Sequence, residues 1–168
     1  GKGLLEFVEE YRRLSLLPPP KKKKFQLKAA LESILLMFED EGRSNKIRLD
    51  LRTDDPHTEI QADPQQFEMV MINLIRNSMD SFQGDQKERN IQIRSRRIDS
   101  RIHVLVRDNG PGIEEELLDQ VFVPFFTTKE EGSGIGLSLA RQVMNNHEGS
   151  IHLESEMGKG TEITLVFV

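Results

Sequence analysis

The stretch DPQQFEMVMINLIRNSMDSF, residues 63–82, decides the architecture. Asp63 supplies a side-chain oxygen to cap a helix, and Pro64 suits the first helical position, where its missing N–H costs nothing. Phe67, Val70, Met71, Leu74, Ile75, Ser78 and Phe82 recur at helical spacing, which predicts a helix over 63–82 with one buried stripe, closed by Gly84-Asp85. Asn73, Asn77 and Asp80 are spaced by four and three, so they share a neighbouring face on the edge of that stripe. A solvated polar face would account for them. Asparagine is a mediocre helix former, however, and a pair at i, i+4 calls for another reason; its carboxamide oxygen is a hard ligand suited to Mg²⁺.

Outward from this helix the pattern alternates between layers. On the N-terminal side, residues 46–52 and 59–62 read as short strands, after a helix predicted over 27–41 with Gly42 as its C-cap. Further back, Pro18-Pro19-Pro20 and Lys21 to Lys24 form an extended, solvated connector behind a first amphipathic helix from Leu4 to about Leu16. On the C-terminal side, residues 91–98 and 101–106 alternate around Asp99-Ser100 as a hairpin, with a short helix at 114–118, a third long helix at 134–147, and last strands at 151–155 and 162–167. Helices and antiparallel-looking strands in mixed order predict an α+β two-layer sandwich, helices on one face of the sheet.

Three loop segments carry further chemistry. Asp108-Asn109-Gly110-Pro111-Gly112 follows a strand; a turn would explain it, while a buried Asp108 would offer acceptor oxygens to an exocyclic amine such as that of adenine. Gly132-Ser133-Gly134-Ile135-Gly136-Leu137 opens a helix, where exposed N–H groups and the helix dipole favour a phosphate. It lacks the Rossmann context, and Leu137 stands where a P-loop has lysine. Between them, Phe122 to Glu131 places three phenylalanines beside Thr127, Thr128 and Lys129. These rings could be core, but their polar flanks suggest a mobile lid with aromatic anchors, and Lys129 could meet terminal phosphates as a point charge.

Composition narrows the class. With 23 Lys+Arg against 28 Asp+Glu the net charge is −5, which leaves no basic footprint for nucleic acid. Zero Cys excludes a disulfide scaffold, thiolate metal sites and a cysteine nucleophile. No apolar run approaches the roughly 18 residues of a membrane span, and the N-terminus lacks a signal-peptide core. The expected location is the cytoplasm, free or as the cytoplasmic portion of a membrane-bound sensor. Because Gly1 is not an initiator Met, the chain need not be a whole protein.

The four segments in this order resemble the ATP-binding catalytic domain of two-component sensor histidine kinases, in the superfamily that also holds gyrase, Hsp90 and MutL. Asn73 to Asn77 resembles the N box, Asp108 to Gly112 the first glycine box, Phe122 to Lys129 the F box, and Gly132 to Leu137 the second glycine box. The match runs from about Phe25 to Val168 and includes Gly158-Lys159-Gly160-Thr161, similar to the family's terminal glycine-threonine turn. Residues 1–20 resemble the end of the dimerisation and phosphoacceptor helix with its linker, and 21–168 the catalytic domain. The resemblance implies a Bergerat-type ATP-binding fold, a mixed sheet of about five strands backed by three helices.

It also implies roles. Asn77 would ligand Mg²⁺, Asp108 would take the adenine amino group, Gly110 and Gly112 would shape the adenine pocket, and Thr161 would lie beneath the base. Gly132, Gly134 and Gly136, with Ile135 and the backbone near Leu137, would cradle the phosphates. Phe122 and Thr128 belong to the F box that contacts the cofactor, and Asn73 and Lys129 would stand near the triphosphate in catalytic positions. Asp80 occupies a cofactor-side position where many such kinases carry a basic residue, and Arg76 or Lys129 could compensate. Hydrolytic relatives carry Glu where Asn73 stands; Asn is no base at neutral pH, which favours transfer over hydrolysis.

The acceptor motif, His followed by Glu or Asp on a dimerisation helix, is not found here: His147 precedes Glu148 but sits at the end of the helix over 134–147, ahead of Gly149, and His57, His103 and His152 lie in other settings. The implied partners are therefore a dimerisation domain bearing the acceptor, in a homodimeric full-length protein, and a response regulator downstream. Two alternatives compete: a non-catalytic nucleotide-binding scaffold, and a serine kinase of the anti-sigma type, which acid stability of the phosphoprotein would reveal.

Overall fold

The computed structural model describes residues 3–126, 134 and 136–168, and of residues 10 and 13–15 the backbone alone. Among the described residues the elements run α1 (Leu4–Ser15), β1 (Lys23–Gln26), α2 (Leu27–Leu36), α3 (Glu39–Ser44), β2 (Ile47–Thr53), β3 (Glu59–Ala62), α4 (Pro64–Ser81), β4 (Arg89–Ile98), β5 (Arg101–Asp108), a 3₁₀ turn (Glu115–Gln120), α5 (Gly136–Asn146), β6 (Ser150–Glu156) and β7 (Gly160–Phe167). Five strands form a sheet in the order β2-β4-β5-β7-β6, while β1 and β3 make a separate antiparallel pair. Only β2 and β4 are parallel within the larger sheet, because α4 intervenes between them as a crossover; the other pairs are antiparallel.

One sheet face is apolar and the other polar, as alternation demands. Ile91 and Ile93 of β4, Val104 and Val106 of β5, and Ile163 and Leu165 of β7 are all buried. Against them pack Leu31 and Ile34 of α2, Val70, Met71, Leu74 and Ile75 of α4, and Ala140, Val143 and Met144 of α5. Each such aliphatic side chain taken fully out of water contributes about 1.5–3 kcal/mol. The result is the α+β two-layer sandwich with a mixed five-stranded sheet.

Three expectations change. The helix anticipated over 27–41 is broken into α2 and α3 around Met37 and Phe38; the break turns Phe38 into the core, with the Arg76 guanidinium 5.1 Å from its ring centroid. Gly42 is accordingly no C-cap but a buried residue inside α3, where a Cβ would come within 3.3 Å of the Ile47 carbonyl and of Leu49. The lysine run is also not wholly connector, since Lys23 and Lys24 begin β1 and pair with Ala62 and Gln61. Their side chains stay exposed, so polar side chains and a strand backbone are compatible at this edge.

The start of α4 is tied to distant parts of the chain. Asp63 caps it by accepting from the backbone N–H groups of Gln65 and Gln66, at 3.0 and 3.1 Å, and also from that of Lys21 at 2.9 Å. Its own N–H donates to His147 Nε2 at 3.0 Å, so the imidazole proton sits on Nδ1, facing the Val143 carbonyl. Gln66 Nε2 donates to the Pro18 carbonyl, which pins the proline linker to the same turn.

Burial alone would raise the Asp63 pKa, but the three N–H donors outweigh it and hold the carboxyl below its ordinary value. A depressed folded pKa contributes stability that is complete above the unfolded value and is lost as pH falls through the folded one. Asp63→Ala should therefore cost about 2 kcal/mol near neutrality, and the gap to the parent chain should close on acidification through that folded pKa, as read by urea denaturation across pH.

Candidate functional site

Of the described sequence-predicted residues, Asn73, Asn77 and Asp80 lie on α4, with Gly136 beside its middle and Gly110 beside its C-terminal end. At its middle, Asn73 lies beside the first turn of α5: a Cβ built on Gly136 would be 4.0 Å from Asn73 Cβ and Cγ. The Nδ2 of Asn73 is buried and has no hydrogen-bond partner among the described residues. A buried donor left unmatched is costly unless something arriving from outside accepts from it. Asn77 is half-buried one turn further on, and Asp80 is exposed on the next, where Arg76 Nη1 approaches it at 4.0 Å. Arg76 also pairs with Glu41 of α3 and covers Phe38. It is thus engaged on the flank of α4, which argues against its compensating for Asp80 near phosphates.

At the C-terminal end of α4 the strand ends close the cleft. Asp108, the last residue of β5, is only 6% exposed, and its Oδ1 accepts from the Gly110 N–H at 2.9 Å. Gly110 is buried against α4, where a Cβ would stand 2.5 Å from Ser81 Oγ. Gly112 has φ +81 and a Cβ there would overlap the Glu156 carbonyl, so glycine is required at that point, while at Gly110 a side chain would have to displace the Ser81 hydroxyl. Thr161 of β7 is the direct cross-strand partner of Asp108 and is half-buried. From Asn73 to Ser81 is eight residues, about 12 Å of helix, a span on the scale of one nucleoside triphosphate.

The F box contributes what is described of it. Phe122 is half-buried with the Arg141 guanidinium of α5 5.4 Å from its ring centroid. Phe125 takes a positive φ of 68°, donates its N–H to the Gly134 carbonyl at 2.8 Å, and stacks on Phe7 of α1 with centroids 4.8 Å apart. Gly134 has φ +76 and no room for a Cβ beside the Phe125 backbone. Leu137 lies in the first turn of α5 and is half-buried. Thr128, Lys129, Gly132 and Ile135 lie outside the described residues.

The sequence profile of the histidine kinase-, DNA gyrase B- and HSP90-like ATPases matches residues 62–168. The chain belongs to this ATPase family. It is similar to the sensor histidine kinase ZraS of Escherichia coli strain K12, 32% identical over 139 residues that cover 83% of this chain and 29% of that protein. The chain thus spans less than a third of that relative's length. Among solved structures it is similar to the catalytic domain of histidine kinase ThkA in a nucleotide-free form, with 30% identity, a TM-score of 0.79, and coverage of 88% of this chain and 95% of that one. It is also similar to ThkA in complex with the response regulator protein TrrA, at 28% identity and a TM-score of 0.81, covering 98% of this chain and 46% of that one.

Within this ATPase family the fold supplies an ATP-binding domain, and the donor set fits the ligand. Asn73, whose amide is buried and unmatched among the described residues, lies beside the α5 start, and Asn77 carries a neutral hard oxygen of the kind that suits an Mg²⁺ ion keeping waters and phosphates in its other positions. The four histidines stay outside the cleft's chemistry: His57 lies in a turn, His147 is buried in its backbone pairings, and His103 and His152 lie on the polar sheet face. Burial, with Arg96, His152 and Arg101 nearby, holds the His103 imidazole below its ordinary pKa. No helix among the described residues is long and apolar enough to cross a membrane.

Sequence reasoning named Gly160 only as part of the terminal glycine-threonine turn, and it missed Ser81. Gly160 at φ +122 has the Asp108 carbonyl where a Cβ would be, and Ser81 donates to the Ser78 carbonyl while walling Gly110. The Gly158-Lys159-Gly160-Thr161 motif was the available signal for the first. Nothing in the spacing marks the second.

Proposed function

We propose that this chain is the ATP-binding catalytic part of a longer sensor histidine kinase, which binds Mg-ATP along α4 and transfers the γ-phosphoryl group to a histidine on a dimerisation domain. Residues 1–20 are then the end of that domain's helix with its linker, and 21–168 the catalytic domain. The observation that carries this reading is the buried Asp108, aligned with Thr161 across β5 and β7 and followed by Gly110, packed on Ser81, and Gly112, which has no room for a side chain.

Asp108 accepts from the adenine amine, with Gly110 and Gly112 leaving space for the ring and Thr161 beneath its 6-position end, next to Asp108. The first N–H groups of α5 and the Gly134 and Gly136 backbone hold the phosphates, supported by the helix dipole. Mg²⁺, with Asn77 as its protein ligand, supplies neutralisation of phosphate charge. Asn73 donates to the phosphate chain and, being no base, leaves water unactivated; the acceptor imidazole brings its own lone pair, so positioning suffices. Lys129 adds a point charge. A response regulator receives the phosphoryl group in turn, and nucleic acid plays no part.

The test is a titration with a fluorescent ATP analogue with and without Mg²⁺, followed by transfer to a dimerisation-domain fragment bearing its histidine. Asn77→Ala should remove the Mg²⁺-dependent gain in affinity and lower transfer roughly a hundredfold, and the phosphoprotein should be acid-labile. Binding that is absent at millimolar nucleotide would refute the reading. An acid-stable product would favour a serine acceptor instead.

A further inference from the structure

Ser155 of β6 sits beside Thr161, which sits beside Asp108, so the three form one row across three strands on the cleft side of the sheet. Its Oγ has three neighbours: the Ile113 N–H at 2.8 Å, the Gly160 carbonyl at 3.0 Å and Thr161 Oγ1 at 2.9 Å. The protons in this cluster can be counted. Ile113 N–H can only donate and the Gly160 carbonyl can only accept, so the single Ser155 proton goes to Gly160. The proton between the two hydroxyls must then come from Thr161. Thr161 therefore has no proton left for a ligand and presents lone pairs alone.

We infer that Ser155 is a positioning residue that sets the base selectivity of the cleft: by taking the Thr161 proton it turns Thr161 into an acceptor beside the acceptor Asp108. Adenine offers a 6-amine, a donor, to such a pair, whereas guanine offers a 6-oxo group that meets lone pairs. The same hydroxyl anchors Ile113 and so fixes the exit of the Gly110–Gly112 loop, which is laced to the β6–β7 turn a second time by Gly158 N–H on the Pro111 carbonyl at 2.8 Å. This inference rests on the nucleotide reading above and adds to it a residue that no box contains.

The experiment measures ATP and GTP affinity by titration calorimetry with Mg²⁺ for the parent chain, Ser155→Ala, Ser155→Thr, Thr161→Val and the Ser155→Ala/Thr161→Val pair, each checked for folding by circular dichroism. Ser155→Ala frees the Thr161 proton to donate to a 6-oxo group, so ATP should weaken three- to tenfold and the ATP/GTP ratio should fall roughly tenfold. Ser155→Thr keeps the hydroxyl and should restore most of both. The double variant should be no worse than Thr161→Val alone. A ratio within twofold of the parent's in Ser155→Ala, or no rescue by Ser155→Thr, overturns the inference while leaving ATP binding intact. If Ser155→Ala does not fold, Thr161→Val decides, since a ratio it leaves unchanged also overturns the inference. A parent chain that binds neither nucleotide brings down the nucleotide reading itself.

Discussion

Asp108→Asn is expected to bind ATP roughly a hundredfold more weakly than the parent chain while keeping its fold. The substitution is nearly isosteric, and an asparagine oxygen can still accept from the Gly110 N–H, so the local turn has what it needs. On the proposed nucleotide reading, the other oxygen becomes an NH₂ group that would point a donor at the adenine amine, itself a donor. Two buried donors face to face cost about 3 kcal/mol, and at 1.4 kcal/mol per tenfold that is two decades in affinity. Calorimetric titration against ATP measures the loss, and unchanged thermal unfolding separates it from misfolding. Affinity within threefold of the parent's would show that Asp108 does not meet the base.

Gly160→Ala should be among the most damaging single methyls at the described residues. The residue holds φ +122, a region that L side chains avoid, and its Cβ would collide with the Asp108 carbonyl oxygen and stand 2.9 Å from the carbonyl carbon. Neither backbone can yield without breaking the β5–β7 pairing between Asp108 and Thr161. Strain and overlap together cost about 3 kcal/mol or more, which for a domain of this size lowers the melting temperature by roughly 10 °C. Gly158→Ala is the control: its φ is also positive at +82, yet nothing lies within 4 Å of its Cβ, so it should lose only the smaller conformational share. Equal melting temperatures for the two variants would remove the packing part of this account.

Much of this was readable before any coordinates. The α4 stripe was legible because Phe67, Val70, Met71, Leu74 and Ile75 repeat without interruption behind an Asp-Pro start, and all five are buried. The β4–β5 hairpin was legible by alternation around Asp99-Ser100. What escaped depends on contacts between segments far apart in sequence. The α2–α3 break has no glycine or proline to announce it; it is imposed by Phe38 finding the core under Arg76. Strand β1 has four residues rich in lysine, and only its pairing with β3 makes it a strand.

The site divides in the same way. Glycine boxes and paired asparagines carry their chemistry in residue type and spacing, so Asn73, Asn77, Asp108, Gly110 and Gly112 stood out. Ser155 did not, because a serine in a polar strand means nothing until three partners surround it. His147 likewise looked incidental until its ring was seen to hold the Asp63 N–H across 84 positions of sequence.

The turn between β6 and β7 acts as a ruler for evolution as well as for engineering. Glu156 pairs with Gly160, and from that closure the register runs Ser155 to Thr161 and on to Asp108. One residue added to or deleted from Met157-Gly158-Lys159 with the upper pairing kept would turn Thr161 to the opposite face of the sheet and carry Ile163 and Leu165 out of the core with it. The Asp99-Ser100 turn at the other end of the sheet sets the β4–β5 register in the same way, from Ile98 beside Arg101 to Ile91 beside Asp108. Divergent sequences of this fold should therefore hold their strand register at both hairpins.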